Sequence, residues 1–239
     1  MLAFDAQAHS EQVAALVRSS GANLGAVIDP DGERLTLVDD EGRILSHTDA
    51  LLALVSLISN RLLGDRIALP VAVTSAAARL AARHNVGVEL TTMSAAGLDL
   101  AATQAGVGFA GGLDGGYIIP GFLPAFDASA ALVKLLDLLA HHRLKLSSVV
   151  DDLPRVHQSH ETVATPWEHK GLVMRALMET AGGPTVLVDG VRVEFGDAWV
   201  LALPDPEDAI THVYAEAATE SEAGRLTREF VLRIRELVR

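Results

Sequence analysis

The chain has no cysteine, few aromatic residues and a deficit of positive charge. With zero Cys there is no disulfide, no thiolate metal site and no cysteine nucleophile, an absence that suits a reducing cytoplasm. Aromatics supply only 4% of 239 residues, so the cores must be aliphatic. Nineteen basic against 31 acidic residues leave a formal net charge of -12, which opposes nucleic acid and anionic membrane surfaces as partners. Apolar runs such as Leu51 to Ile58 fall short of the ~20 residues of a membrane span, and the start Met1-Leu2-Ala3-Phe4-Asp5 has no basic leader region. What remains is the composition of a soluble cytoplasmic globular protein of one to three compact units.

Residues 9 to 20 carry apolar positions at helical spacing, closed by Gly21. Two β-prone runs, 24 to 28 and 34 to 38, flank the acidic loop Asp29-Pro30-Asp31-Gly32-Glu33, and a helix with a Thr48 cap is predicted to Leu63. A strand over 67 to 73, a helix over 75 to 84 and a strand over 86 to 90 then read as βαβ, which implies a parallel sheet. A helical stretch to Ala105, a glycine-rich loop over 106 to 116, a strand at 117 to 119 and a helix over 127 to 142 follow. Residues 150 to 166 read as a polar linker, and the last third as an antiparallel α+β unit closed by a helix over 221 to 239.

Alternate residues of an extended loop can aim three carboxylates at one point, which makes Asp29, Asp31 and Glu33 candidate Mg²⁺ ligands; the same residues also make an ordinary solvated turn. Gly106-x-Gly108-x-x-Gly111 has the spacing of a dinucleotide fingerprint but the wrong context, with a helix before it and a strand after, and is read as a turn. His157-x-x-His160 reads as solvated linker rather than a metal pair. His141-His142-Arg143 complements a helix C-terminus, and Trp167 and Trp199 fill core gaps or interfaces, an exposed Trp167 beside Lys170 pointing instead to a partner surface. Gly-x-Ser-x-Gly occurs nowhere.

The order of acidic loop, βαβ unit, glycine loop and small α+β tail resembles the α-D-phosphohexomutases, the phosphomannomutase and phosphoglucomutase family, over nearly the whole chain. The resemblance implies an α/β fold of truncated phosphohexomutase architecture, with mixed and parallel sheets flanked by helices and a C-terminal antiparallel α+β domain. It divides the chain into part of a second domain at 1–65, a third domain at 66–153 and a fourth at 154–239. In that comparison Asp29, Asp31, Glu33 and Arg34 stand on the family's metal loop, Asp-x-Asp-x-Asp-Arg, with Glu33 for the third Asp.

Gly112, Asp114 and Gly115 stand on the sugar loop, Gly-Glu-x-Ser-Gly, with Gly112 for the Glu and Asp114 for the Ser. The phosphate loop, Arg-Pro-Ser-Gly-Thr-Glu-Pro and a later Arg, falls on residues 203 to 209 and 212. Leu203, Asp205, Glu207 and His212 replace its donors, so the loop repels a dianion. Ser46-His47-Thr48 is similar to the nucleophile stretch but is read as a helix entry, and no catalytic residue is assigned. Pro166-Trp167-x-x-Lys170-Gly171-x-Val173-Met174 resembles the mutase-like tail of mannose-1-phosphate guanylyltransferases.

The resemblance therefore implies a degenerate, noncatalytic module of a sugar-nucleotide protein, partnered by a nucleotidyltransferase domain in the same chain or another subunit. Self-assembly into a homo-oligomer is left open. The alternatives are a sugar phosphate mutase that needs a further N-terminal domain and Mg²⁺, and a sensor of a neutral or cationic ligand built on Asp114, Asp205, Glu207 and Asp208.

Overall fold

The computed structural model describes residues 4–62 and 64–239, and the chain divides into two compact units, 1–154 and 155–239. Residues 1–65 and 66–153 thus lie together in the first unit. It opens with α1 (Ala6–Ser20), whose Asp5 side chain accepts the Ala8 N–H and whose Gly21 closes the helix at φ +68°. The hairpin β1 (Gly25–Ile28) and β2 (Leu35–Val38) follows, its strands antiparallel and in register from Gly25 with Val38 to Ile28 with Leu35.

Helix α2 (His47–Ser59) comes next. Ser46, not Thr48, is its cap, its hydroxyl accepting the Asp49 N–H, and Leu63 of the expected helix lies outside the described residues. Leu51 to Val55 are buried without a break, so α2 is an interior helix, apolar on every side.

The first unit's main sheet has the order β4-β3-β5-β6-β7. Strands β3 (Arg66–Pro70), β4 (Gly87–Thr91) and β5 (Val107–Gly111) are parallel, joined by α3 (Ser75–Ala82) and α4 (Ala95–Ala102), as the βαβ pattern predicts. Strands β6 (Tyr117–Ile119) and β7 (Leu123–Phe126) add on antiparallel, and α5 (Ala128–His142) and α6 (Leu146–Asp151) complete the unit. The first half of the expected loop 106–116 is therefore strand β5, with Val107 and Phe109 buried; the dinucleotide spacing runs through a strand instead of a turn.

The second unit is a five-stranded antiparallel sheet in the order β8-β12-β11-β10-β9. Its strands are β8 (His157–Ala164), β9 (Thr185–Val186), β10 (Val191–Phe195), β11 (Ala198–Pro204) and β12 (Ile210–Ala217). Helices α7 (Trp167–Glu179) and α8 (Glu220–Leu237) pack on one face, around Val173, Leu177, Val193, Val200, Val213, Phe230 and Ile234.

Here the polar linker expected at 150–166 is overturned. β8 pairs with β12 over eight residues, from His157 with Ala217 to Ala164 with Ile210. As an edge strand it can carry His, Gln, Ser and Glu, because its backbone groups are satisfied by the ladder while most side chains stay wet.

Candidate ligand loops

In the first unit the acidic loop and the glycine loop meet. Leu35 N–H donates to the Gly115 carbonyl at 2.9 Å, Ala128 N–H to the Gly32 carbonyl at 2.9 Å, and Gly112 N–H to the Gly116 carbonyl at 2.8 Å. Asp29 closes its own turn, one carboxylate oxygen accepting the Glu33 and Arg34 N–H groups at 2.8 and 3.0 Å. Those backbone bonds, that from Arg34 foremost, hold the Asp29 carboxyl below its ordinary pKa against partial desolvation. Its other oxygen lies 3.7 Å from the Arg34 guanidinium.

Arg34 also donates from Nε to Asp114 Oδ2 at 2.9 Å, so one cation is bracketed by two carboxylates. The Asp114 contact is the main cause of the raised Arg34 pKa. The second oxygen of Asp114 accepts the Gly116 N–H at 3.2 Å. Tyr117, the next residue, is fully buried with its hydroxyl unpartnered, and burial, then the Asp114 charge, pushes its pKa up.

These residues edge a cleft of about 240 Å³ lined by Glu33, Arg34, Pro70, Met93, Gly112 and Phe126, among others. Pro70 and Gly112 place it at the carboxyl ends of the parallel strands β3 and β5. The chain leaves those strands in opposite directions, toward β4 and toward β6, which is the switch point where open α/β sheets bind ligands.

A divalent cation does not fit the three expected carboxylates. Asp29 is committed to its turn and to Arg34, and no group of three or more His, Cys, Asp or Glu among the described residues is placed to hold a metal. Alternation along the loop would aim Asp29, Asp31 and Glu33 together, but the Asp29 turn folds the loop back on itself and defeats that geometry.

In the second unit the loop between β11 and β12 is built on Asp205. Its Oδ1 accepts the Glu207 and Asp208 N–H groups at 2.8 and 2.6 Å, and its Oδ2 lies 2.9 Å from His212 Nε2. The His212 contact first, then the two amides, hold the Asp205 carboxyl down to about 2. His212 Nδ1 in turn is 3.0 Å from His160 Nε2, and the His160 ring stacks on Tyr214 at 4.2 Å. With Asp205 ionised, the proton of the His212–Asp205 contact sits on His212 Nε2.

Lys170 completes the loop, its ammonium donating to the carbonyls of Asp205 and Asp208 at 2.5 Å each and sitting 3.5 Å over the Trp167 ring. A segment that would cradle an anion with N–H donors thus turns its carbonyls toward an internal cation, and two of its amides are taken by Asp205.

Asp114 belongs to the first unit and Asp205, Glu207 and Asp208 to the second. Leu203 is buried in β11 opposite His212, while the loop residue Glu207 is exposed. Sequence reading missed the parts of His160, Tyr214 and Lys170. The strand period supplies the missing signal for the first two: His160 stands directly opposite Tyr214 across the ladder, and His157, three residues earlier, points to the other face. Trp199 is buried, whereas Trp167 is 54% exposed and so fills no core.

Burial, then the neighbouring His212, lowers the His160 pKa from the ordinary 6.5. Below that pH the unfolded chain therefore binds more protons at this site, and stability falls as pH drops through 6.5. Melting temperatures of the wild type and H160Q measured between about pH 7 and 5 should converge as pH falls; parallel curves would remove His160 from the acid response.

No protein-family model matches the chain. Among curated proteins it is 30% identical over 230 residues to a probable phosphoglucosamine mutase of Methanopyrus kandleri, covering 93% of this chain and 50% of that one. It is 26% identical over 212 residues to a phosphoglucomutase/phosphomannomutase of Thermococcus kodakarensis, covering 87% and 46%. Among solved structures it matches a phosphoglucomutase/phosphomannomutase family protein of Burkholderia thailandensis with a TM-score of 0.76 at 21% identity, covering 95% and 49%. It also matches an N-acetylphosphoglucosamine mutase of Aspergillus fumigatus, a complex with GlcNAc-6P and magnesium, with a TM-score of 0.65 at 13% identity, covering 90% and 49%. The chain has the α/β fold of the matching part of these phosphohexomutases and spans about half the length of the curated relatives it matches.

Proposed function

We propose that the chain is a noncatalytic phosphohexomutase-type module of carbohydrate phosphate metabolism, with a structural or regulatory role in a cytoplasmic sugar-nucleotide protein of the mannose-1-phosphate guanylyltransferase type. Its partner is a nucleotidyltransferase domain, in the same polypeptide or another subunit. The observation that carries this reading is the loop at 205–209 with His212 of β12 beside it, where Asp205, His212 and Lys170 satisfy one another and leave a phosphate no cationic donor. The exposed Trp167 beside Lys170 supports a role exercised through surfaces. Magnesium, present in the fungal complex, has no part in the proposal, since the carboxylates of the acidic loop do not gather.

The mutase names of the relatives support a second reading, in which the chain contributes these units to a sugar phosphate mutase completed by further polypeptide. The two differ in whether the loops bind phosphate. A ligand at ~100 times its dissociation constant stabilises the folded state by about 2.7 kcal/mol. Thermal melting with glucosamine 6-phosphate, glucose 1-phosphate or mannose 1-phosphate, each with Mg²⁺, should therefore show no shift. A concentration-dependent rise with any of them would favour the second reading.

A further inference from the structure

The cleft of the first unit holds one cation among its described lining residues, Arg34, and that cation is engaged from inside the molecule. Its Nε is taken by Asp114 at 2.9 Å and its NH1 faces Asp29 at 3.7 Å. The Asp114 carboxylate is itself seated: Oδ1 accepts the Gly116 N–H, and it lies 2.7 Å from where a side chain at Gly112 would begin. The absence of a side chain at 112 is thus what gives the carboxylate its place. Both partners stay half exposed, 49% for Arg34 and 55% for Asp114, so the pair adds little to folding and can open without unfolding the unit.

We propose that Arg34 and Asp114 form a latch that keeps small oxyanions out of this cleft, and that neutralising Asp114 turns the cleft into an oxyanion site centred on Arg34. The chemistry is local: Asp114 fills the Arg34 Nε–H and adds its charge to those of Asp29 and Glu33, and neutralising it frees that donor and removes the carboxylate nearest the guanidinium, so that a phosphate or sulfate can take its place. This deepens the reading that the chain holds its ligand loops closed with its own side chains, and it concerns the other unit from the loop that carries that reading.

The test is a titration with inorganic phosphate, followed by calorimetry, of the wild type, R34M, D114N and R34M/D114N. The D114N substitution keeps a carbonyl acceptor for the Gly116 N–H and removes only the charge; D114S serves as the second releasing variant should D114N not fold. D114N should bind phosphate about tenfold or more tightly than the wild type, the effect of one charge-assisted hydrogen bond, and R34M/D114N should lose that gain. Equal affinities in wild type and D114N overturn the latch. So does a gain that survives the loss of Arg34, or wild-type binding that R34M abolishes. Wild-type binding that instead depends on His212 or Lys170 would sink the noncatalytic reading and leave the latch standing, so the two fail separately.

Discussion

Gly115→Val should lower the melting temperature by about 5–10 °C, corresponding to roughly 2–4 kcal/mol for a protein of this size. Gly115 sits at φ +89°, in the left-handed region that a β-branched residue avoids. A Cβ there would also stand 2.8 Å from the Leu35 carbonyl oxygen, closer than such atoms approach, and the obstacle is backbone. Leu35 is the residue whose N–H binds the Gly115 carbonyl, so the substitution pushes away the strand that the loop is tied to. The acidic hairpin and the glycine loop would then separate, and with them Arg34 from Asp114. Gly21→Ala is the control: its φ is +68° but nothing lies within 4 Å, so it carries the backbone cost alone, about 1 kcal/mol. Equal melting temperatures for the two variants would show that the junction is not what holds the hairpin.

Lys170→Ala should cost about 1.5–3 kcal/mol, the range for hydrogen bonds to a charged group, and should act locally. The ammonium bridges two carbonyls of the loop, and its removal leaves them to water and frees the Trp167 face. Hydrogen exchange at the Glu207 and Asp208 amides should accelerate, because the Asp205 turn that protects them loses its second anchor. Trp167 emission should change at the same time, and K170M, which keeps the aliphatic stem, should reproduce the exchange effect. Unchanged exchange at 207 and 208 would mean that Asp205 and His212 hold the loop unaided.

The sequence carried its local signals faithfully and its long-range ones hardly at all. Gly21 after an amphipathic stretch, and the run of apolar β3, helical α3 and alternating β4, could be read because caps and periods are properties of neighbours. Even there, Ser46 rather than Thr48 capped α2, since three polar residues in a row offer three candidates and only geometry chooses. Strand β8 was hidden by its polarity: an edge strand needs no apolar face, and its period of two was masked by residues that also make linkers.

The site divides in the same way. The acidic character of residues 205 to 208 is visible in the sequence, but its meaning depends on Lys170, 35 residues away from Asp205, and on His160, 52 away from His212. The three carboxylates of the acidic loop show the opposite error. Their spacing suits a metal, yet Asp29 spends its oxygens on the turn and on an arginine whose other partner lies 80 residues on.

Both loops are closed by the chain's own side chains, a state that residue-resolved NMR can follow atom by atom. The His160 and His212 imidazole signals and the Arg34 Nε–H signal would be followed while glucosamine 6-phosphate and Mg²⁺ are added to millimolar concentration. A persistent, hydrogen-bonded Arg34 Nε–H and imidazole shifts that do not move are expected. Saturable shifts at His212, or loss of the Arg34 signal on the same binding curve, would show loops that open to a phosphosugar.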